Sequence, residues 1–244
     1  MELLAALAAG TTDVLHDSGK FDASNSTFNL YFTRYAEESY LFKDIVSNNR
    51  LFYAAKHKNI TYNEHQVGVT PAMFDRYNGL RNHFGIIATS IDNSNKEFIA
   101  AFEHKRHNVF GVQFHPEKNI FEWFARGNFP HSKEAIQFAQ SIADAFVETT
   151  RNNFNSFELD PAQEVKVLIQ NHEKKFLGNS YFQEAYMFYP DEPQLGLDEN
   201  LPHHLRAKPC KHQYKNKVSI IRVNQFGNSM SFYETGEALL GYLF

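Results

Sequence analysis

Apolar positions along this chain recur in two rhythms, one fit for helices and one for strands. At the amino end, MELLAALAAG places Leu3, Leu4 and Leu7 on a shared helical face and closes on Gly10, which predicts a buried or amphipathic helix. Residues 18–26 are polar and turn-rich, and residues 27–32 alternate with aromatic side chains, which predicts a strand. Residues 41–56 read as a short helix and turn, and residues 60–69 as an extended segment ending near Pro71. The β-branched and apolar run 84–91 predicts a second strand, Asp92-Asn93-Ser94-Asn95 a turn, and residues 97–103 the returning strand. Residues 108–114 predict a further strand, stopped by Pro116. Ser132 is placed to cap a long helix over 132–152, with Ile136, Ala139, Ile142, Ala143 and Phe146 as its apolar stripe. Asp160 and Pro161 have the form of a second helix start, running to about His172. From Tyr189 onward Pro190, Pro193, Pro202 and Pro209 break up a polar segment with little periodicity, and residues 218–244 turn apolar again.

Composition narrows the class. At 244 residues and 43% hydrophobic content the chain can build one sizeable core, and a domain of this size buries roughly 70–75% of the surface its unfolded chain exposes. The formal charge of −4 comes with scattered basic residues, so the positive stripe that nucleic acid binding needs is not present. No run approaches the ~20 apolar residues of a membrane span. The first residues lack the basic segment of a secretory leader, since Glu2 follows the initial methionine directly. Cys210 is the single cysteine, which excludes an intrachain disulfide. Two N-x-S/T sequons, at Asn25 and Asn59, become glycosylation sites only in a secretory lumen.

The segment richest in chemistry is Gly111-Val112-Gln113-Phe114-His115-Pro116-Glu117-Lys118. An apolar strand delivers His115 at its carboxyl end, and Glu117, two residues on, can reach the same side and fix the imidazole tautomer. That is the base-and-orienter half of a nucleophilic triad. On spacing alone, a surface His-Pro-Glu turn after an edge strand accounts for the residues as well.

GVQFHPE resembles the His-Glu signature of class I glutamine amidotransferase-like domains, where this pair completes a triad with cysteine. Its continuation, HPEKNIFEW to Trp123, is similar to the γ-glutamyl hydrolase branch more narrowly (peptidase family C26). Asn63-Glu64-His65, the end of the helix from Ser132, and Gly178-Asn179-Ser180 with Phe182-Gln183-Glu184 carry weaker likenesses. The resemblance covers residues 1–188, leaving 189–244 as an atypical tail. It implies an α/β fold, the flavodoxin-like three-layer class I glutamine amidotransferase-like fold, with the amino-terminal part that holds the nucleophile elbow missing. It implies His115 and Glu117 as catalytic residues and His65 in the substrate cleft. His57, His83, His104, His107 and His131 have no such support and read as structural or solvated.

The family's nucleophile sits in a G-x-C-x-G elbow just before a helix that resembles MELLAALAAG, which would put the cysteine about three residues before Met1. Cys210, within Lys208-Pro209-Cys210-Lys211-His212, has no elbow glycines, and no G-x-S-x-G occurs. His203, His204, Cys210 and His212 fit no standard zinc spacing and read as solvated linker. The resemblance thus implies cleavage of γ-glutamyl bonds in folylpolyglutamates or other γ-glutamyl substrates, without cofactor or metal. As written, the chain is expected to be inactive and a fragment. The alternatives are a non-catalytic binding or structural relative, or an ammonia-producing glutamine amidotransferase domain. Lysosomal, vacuolar or secreted residence is implied, and a homo-oligomer is left open.

Overall fold

A computed structural model describes residues 1–123, 125–154, 165, 168–176, 184–188, 219–223, 230–234 and 242–243. The chain divides into two compact units, Met1–Phe154 and Asn155–Phe244. The expected boundary after residue 188 marks where the resemblance ends, whereas the division at 154 marks where the chain compacts separately.

The first unit opens with α1 (Glu2–Ala9), closed by Gly10 at φ 73, the left-handed cap expected of a glycine there. Its buried side differs from the predicted one. Ala5 is fully buried, and Met1 with it, whereas Leu3 and Leu7 are 38% and 70% exposed. The reason lies in α6 (Asn78–His83), whose Gly79 lies so close that a Cβ there would sit 1.8 Å from the Ala8 carbonyl oxygen. An approach that tight admits alanine, not leucine.

The strand predicted over 27–32 is two strands in two sheets. β1 (Ala23–Phe28) pairs antiparallel with β3 (Thr61–His65), while β2 (Tyr31–Phe32) pairs with β4 (Phe84–Ile91). Between them the chain turns at Asn29 and Leu30. The Leu30 amide donates to Ala55 O at 2.7 Å, Ser90 Oγ donates to Asn29 O at 2.7 Å, and Leu30 is buried. The larger sheet of this unit has the order β2-β4-β5-β6, with β5 (Glu97–His104) and β6 (Phe110–Val112), every pair antiparallel. The turn at 92–95 is held by Asp92, whose carboxylate accepts from the amides of Asp22, Ser94 and Lys96 and from Ser94 Oγ.

Helices pack on both faces of that sheet. One core joins Phe98, Ala100 and Phe114 to Ile45 of α3 (Lys43–Ser47), Leu51 and Ala54 of α4 (Asn49–His57), and Phe138 and Ile142 of α8 (Lys133–Arg151). The other joins Ile99 and Phe102 to Met1, Ala5, Val14 of α2 (Asp13–His16), Met73 and Phe74 of α5 (Pro71–Arg76), and Leu80. Side-chain alternation along β5 slips at Ala100–Ala101, where its register with β4 shifts twice, between Ile86 and Ala88 and between Ala88 and Thr89. This three-layered α/β arrangement is the fold class expected.

In α8, Ser132 Oγ accepts from the Ala135 amide, the predicted cap. The buried stripe is Ala135, Phe138, Ala139, Ile142, Ala145 and Thr149, rotated from the predicted one, and Phe146 is 40% exposed. Phe138 determines the rotation, because it meets Phe42 and Phe114 at ring-centroid distances of 6.0 and 5.8 Å.

In the second unit the described strands form one antiparallel sheet. β7 (Glu173–Phe176), β8 (Glu184–Phe188), β9 (Ser219–Val223), β10 (Met230–Glu234) and β11 (Tyr242–Leu243) pair in chain order. The helix predicted from Asp160 falls mostly outside the described residues. Its described end, Ile169–Asn171, is a single 3₁₀ turn, and His172 is already extended.

Candidate active site

β6 ends at Val112, and the chain bends at Gln113 and Phe114 before the turn at Pro116 and Glu117. Phe114 lies in the core and is 1% exposed, while Gln113 reaches Glu2 and His115 reaches Tyr62 and Glu117. Two backbone bonds lock this stretch in place: Gln113 N donates to Ala100 O and His115 N to Tyr62 O, both at 2.8 Å. His115 therefore sits beside β3, with its ring 6.2 Å from that of Tyr62.

His115 Nδ1 and Glu117 Oε1 are 2.9 Å apart, with side-chain exposures of 12% and 16%. Burial pushes the Glu117 carboxyl up, but the charge and hydrogen bond of His115, helped by Lys118, carry it below its ordinary value. An ionised Glu117 holds the proton on Nδ1 and makes Nε2 the basic nitrogen. Lys118, also buried, pairs with Glu122 at 3.6 Å across one turn of α7 (Lys118–Phe121).

His65, the last residue of β3, comes to the same place. It is 7% exposed, and its Nδ1–H donates to Val67 O at 2.9 Å. Nε2 is then an acceptor, and it meets no partner among the described residues. Burial pushes the His65 imidazole down to about 4, against the Val67 bond; the charges of His115 and of the Met1 amino group lower it further. His65 is therefore neutral at neutral pH.

Sequence reasoning missed two further residues. Glu2 is drawn into the site by Gln113, whose Nε2 donates to Glu2 Oε1 at 3.1 Å; burial raises the Glu2 pKa despite that bond and the nearby charge of His115. Gln113 lies within the quoted motif, but the spacing assigned it no role. Glu2 gave no signal. Gly111 makes the approach possible: a Cβ there would press on Met1 Cγ and Phe102, each at 3.1 Å. The amino end of α1, His65, Gln113 and the His115–Glu117 pair thus converge.

The remaining sequence candidates lie elsewhere. Asn25, at φ 46, has its side chain engaged: Nδ2 donates to Arg126 O at 3.1 Å, and Oδ1 accepts from Asn128 N at 2.8 Å and Tyr62 OH at 3.3 Å. Asn59 is exposed at the end of α4. His203, His204, Cys210 and His212 lie outside the described residues. Among the described residues, no three His, Cys, Asp or Glu side chains gather as metal ligands, and no helix is long and apolar enough to cross a membrane.

Residues 3–123 match the family model of class I glutamine amidotransferases. Over 202 residues the chain is 31% identical to gamma-glutamyl hydrolase B of Dictyostelium discoideum, covering 82% of this chain and 56% of that one. Gamma-glutamyl hydrolase 1 of Arabidopsis thaliana is 30% identical over 190 residues, 77% of this chain and 52% of its own. The gamma-glutamyl hydrolase of Mus musculus is 32% identical over 168 residues, 68% of this chain and 52% of its own. The chain spans about half the length of the curated relatives it matches.

Proposed function

Because the chain belongs to the class I glutamine amidotransferase family and its relatives are named gamma-glutamyl hydrolases, we propose that it serves the hydrolysis of γ-glutamyl bonds. The observation that carries this is the 2.9 Å contact between His115 and Glu117, set at the strand end that faces the start of α1. In a strand–elbow–helix turn the nucleophile lies immediately ahead of the helix. A cysteine thiol joined to the amino end of α1 would therefore face His115.

His115 Nε2 takes the thiol proton, and the thiolate adds to the γ-carbonyl carbon. When the tetrahedral adduct collapses, the C–N bond breaks and the imidazolium returns its proton to the departing amine, leaving a γ-glutamyl thioester. Water, deprotonated by the same nitrogen, then releases the acid and restores the thiol. Glu117 orients the ring and stabilises its cationic form. His65, neutral and offering Nε2 as an acceptor, receives an N–H of the substrate. Folylpolyglutamates are the substrates we favour, in a lysosomal, vacuolar or secreted setting. Of the two sequons, Asn59 is the acceptor this geometry permits, since the Asn25 amide is bonded to Arg126.

The test is glutamate release from γ-glutamyl-glutamate by the native protein and its variants. His115→Ala is expected to lower kcat/KM by about 10²–10⁴-fold, the usual worth of a general base, and Glu117→Gln by less. An unchanged rate in His115→Ala would overturn the assignment. Faster release of ammonia from glutamine than of glutamate from the dipeptide would move the substrate assignment to an amidotransferase.

A further inference from the structure

Lys118 directly follows Glu117 in the chain, and its side chain is only 10% exposed. A lysine is almost never buried unless it is paired. Its partner is Glu122, 15% exposed, with Nζ and Oε1 3.6 Å apart. Support of α7 does not account for this pair. The helix has four residues, and lysine ahead of glutamate at this spacing is the weaker order for holding a helix. Nor is burial a gain in itself, because the hydration lost by two buried charges can exceed the attraction between them. The backbone nevertheless keeps the pair in register, for the Glu122 amide donates to Lys118 O at 3.1 Å.

The ammonium lies at the edge of the candidate site. Nζ is 5.7 Å from the centre of the Phe129 ring and 6.0 Å from that of Tyr62, the ring beside His115. Attraction to the rings is weak at those distances, but a charge sheltered from water is screened much less than an exposed one. Burial raises the Glu117 carboxyl, His115 more than offsets it, and the positive charge of Lys118 adds to the lowering. The other charged groups around the site are placed as follows. Glu2 acts on His115 and the Met1 amino group on His65, both from the start of α1. Glu64 on β3 accepts from Tyr62 OH and the Asn25 amide, Glu134 on α8 pairs with Lys58, and His131 is bonded through Nδ1 to Asn119 O.

We propose that the buried Lys118–Glu122 pair positions the His115–Glu117 pair, its ammonium holding Glu117 ionised and its carboxylate limiting that pull. The use of this in catalysis rests on the hydrolase reading, whereas the electrostatic link does not. Lys118 is a positioning residue. It acts through Glu117, which fixes the proton on His115 Nδ1 and leaves Nε2 basic. Without the ammonium, the His115–Glu117 pair takes up its next proton at higher pH, because loss of a positive charge makes both groups easier to protonate. Without the Glu122 charge, the change has the opposite sign.

NMR of isotope-labelled histidine rings reads the tautomer and charge of His115 without any turnover, and its signals are those lost in His115→Gln. Over a pH titration of the native protein and its variants, Lys118→Met is expected to raise the midpoint of the pair by about 0.5–1 pH unit. Glu122→Gln is expected to lower it by a similar step, and Lys118→Arg to leave it within about 0.2 of wild type. The acid limb of kcat/KM for γ-glutamyl-glutamate is expected to move with the midpoint in each variant, whereas a merely structural role would lower the rate alike at every pH. Glu122→Gln keeps the shape of the side chain, so it tests the link even where Lys118→Met does not fold. An unmoved midpoint in Glu122→Gln, or a shift of the same sign in Lys118→Met and Glu122→Gln, would overturn the proposal. Shifts of opposite sign in a protein that releases no glutamate would uphold the link and remove only the hydrolase reading.

Discussion

His65 carries a consequence that can be measured apart from any activity. Its imidazole titrates near 4 in the folded protein because it is buried, against the ordinary value of 6.5. In acid, the unfolded chain therefore binds a proton that the folded one refuses. Stability from this group is complete above pH 6.5 and is lost as the pH falls toward 4, at a slope of at most ~1.4 kcal/mol per pH unit. Urea unfolding of wild type and His65→Gln at pH 7 and pH 4.5 measures it. Wild type is expected to lose on the order of 2–3 kcal/mol more than the variant over that interval. Equal losses would mean that His65 is protonated at its ordinary pH and cannot be the neutral acceptor the site needs. The same residue shows how far sequence reaches: its place at a strand end was legible, while the orphaned Nε2 depends on Val67 and on burial, which no spacing encodes.

Helix α1 shows what a local pattern leaves out. MELLAALAAG was readable as a helix ending at Gly10, because capping and propensity are local. Its leucine face pointed the wrong way, because the partner is the backbone of α6 at Gly79, seventy residues away, and only small side chains fit there. Strands β1 and β2 failed for a related reason: one alternating run spans a sheet switch fixed by bonds from Leu30 and Ser90 to distant chain. Gly79→Ala tests the α1 packing. With the added Cβ forced against Ala8 O, α1 must shift, and a loss of about 1–3 kcal/mol in unfolding free energy is expected, comparable with overpacking of a core. A loss under ~0.5 kcal/mol, the range of neutral surface substitutions, would show that α1 is not seated as described.

On the scale of the whole molecule, the site is assembled from residues far apart in the chain, all within Met1–Phe154. Glu2, His65, Gln113, His115 and Glu117 meet because the chain beyond β6 bonds to β3, His115 N to Tyr62 O, and Gly111 lets Met1 settle on the sheet. The HPE motif was legible because its spacing is local; the convergence of α1 with it was foreseen only through the resemblance, since the contact joins Glu2 to Gln113, 111 positions on. The proposal that His115 serves a cysteine thiol facing it from the amino end of α1 concerns a residue outside these 244, whose single cysteine is Cys210. It is tested most directly by labelling the native protein with a diazoketone analogue of glutamine, which alkylates a thiolate placed to attack the γ-carbonyl, and mapping the modified peptide by mass spectrometry. The expected result is one modified cysteine, in a peptide that runs into Met1–Ala9, and much slower labelling in His115→Ala. Modification at Cys210, or none at all, would contradict it.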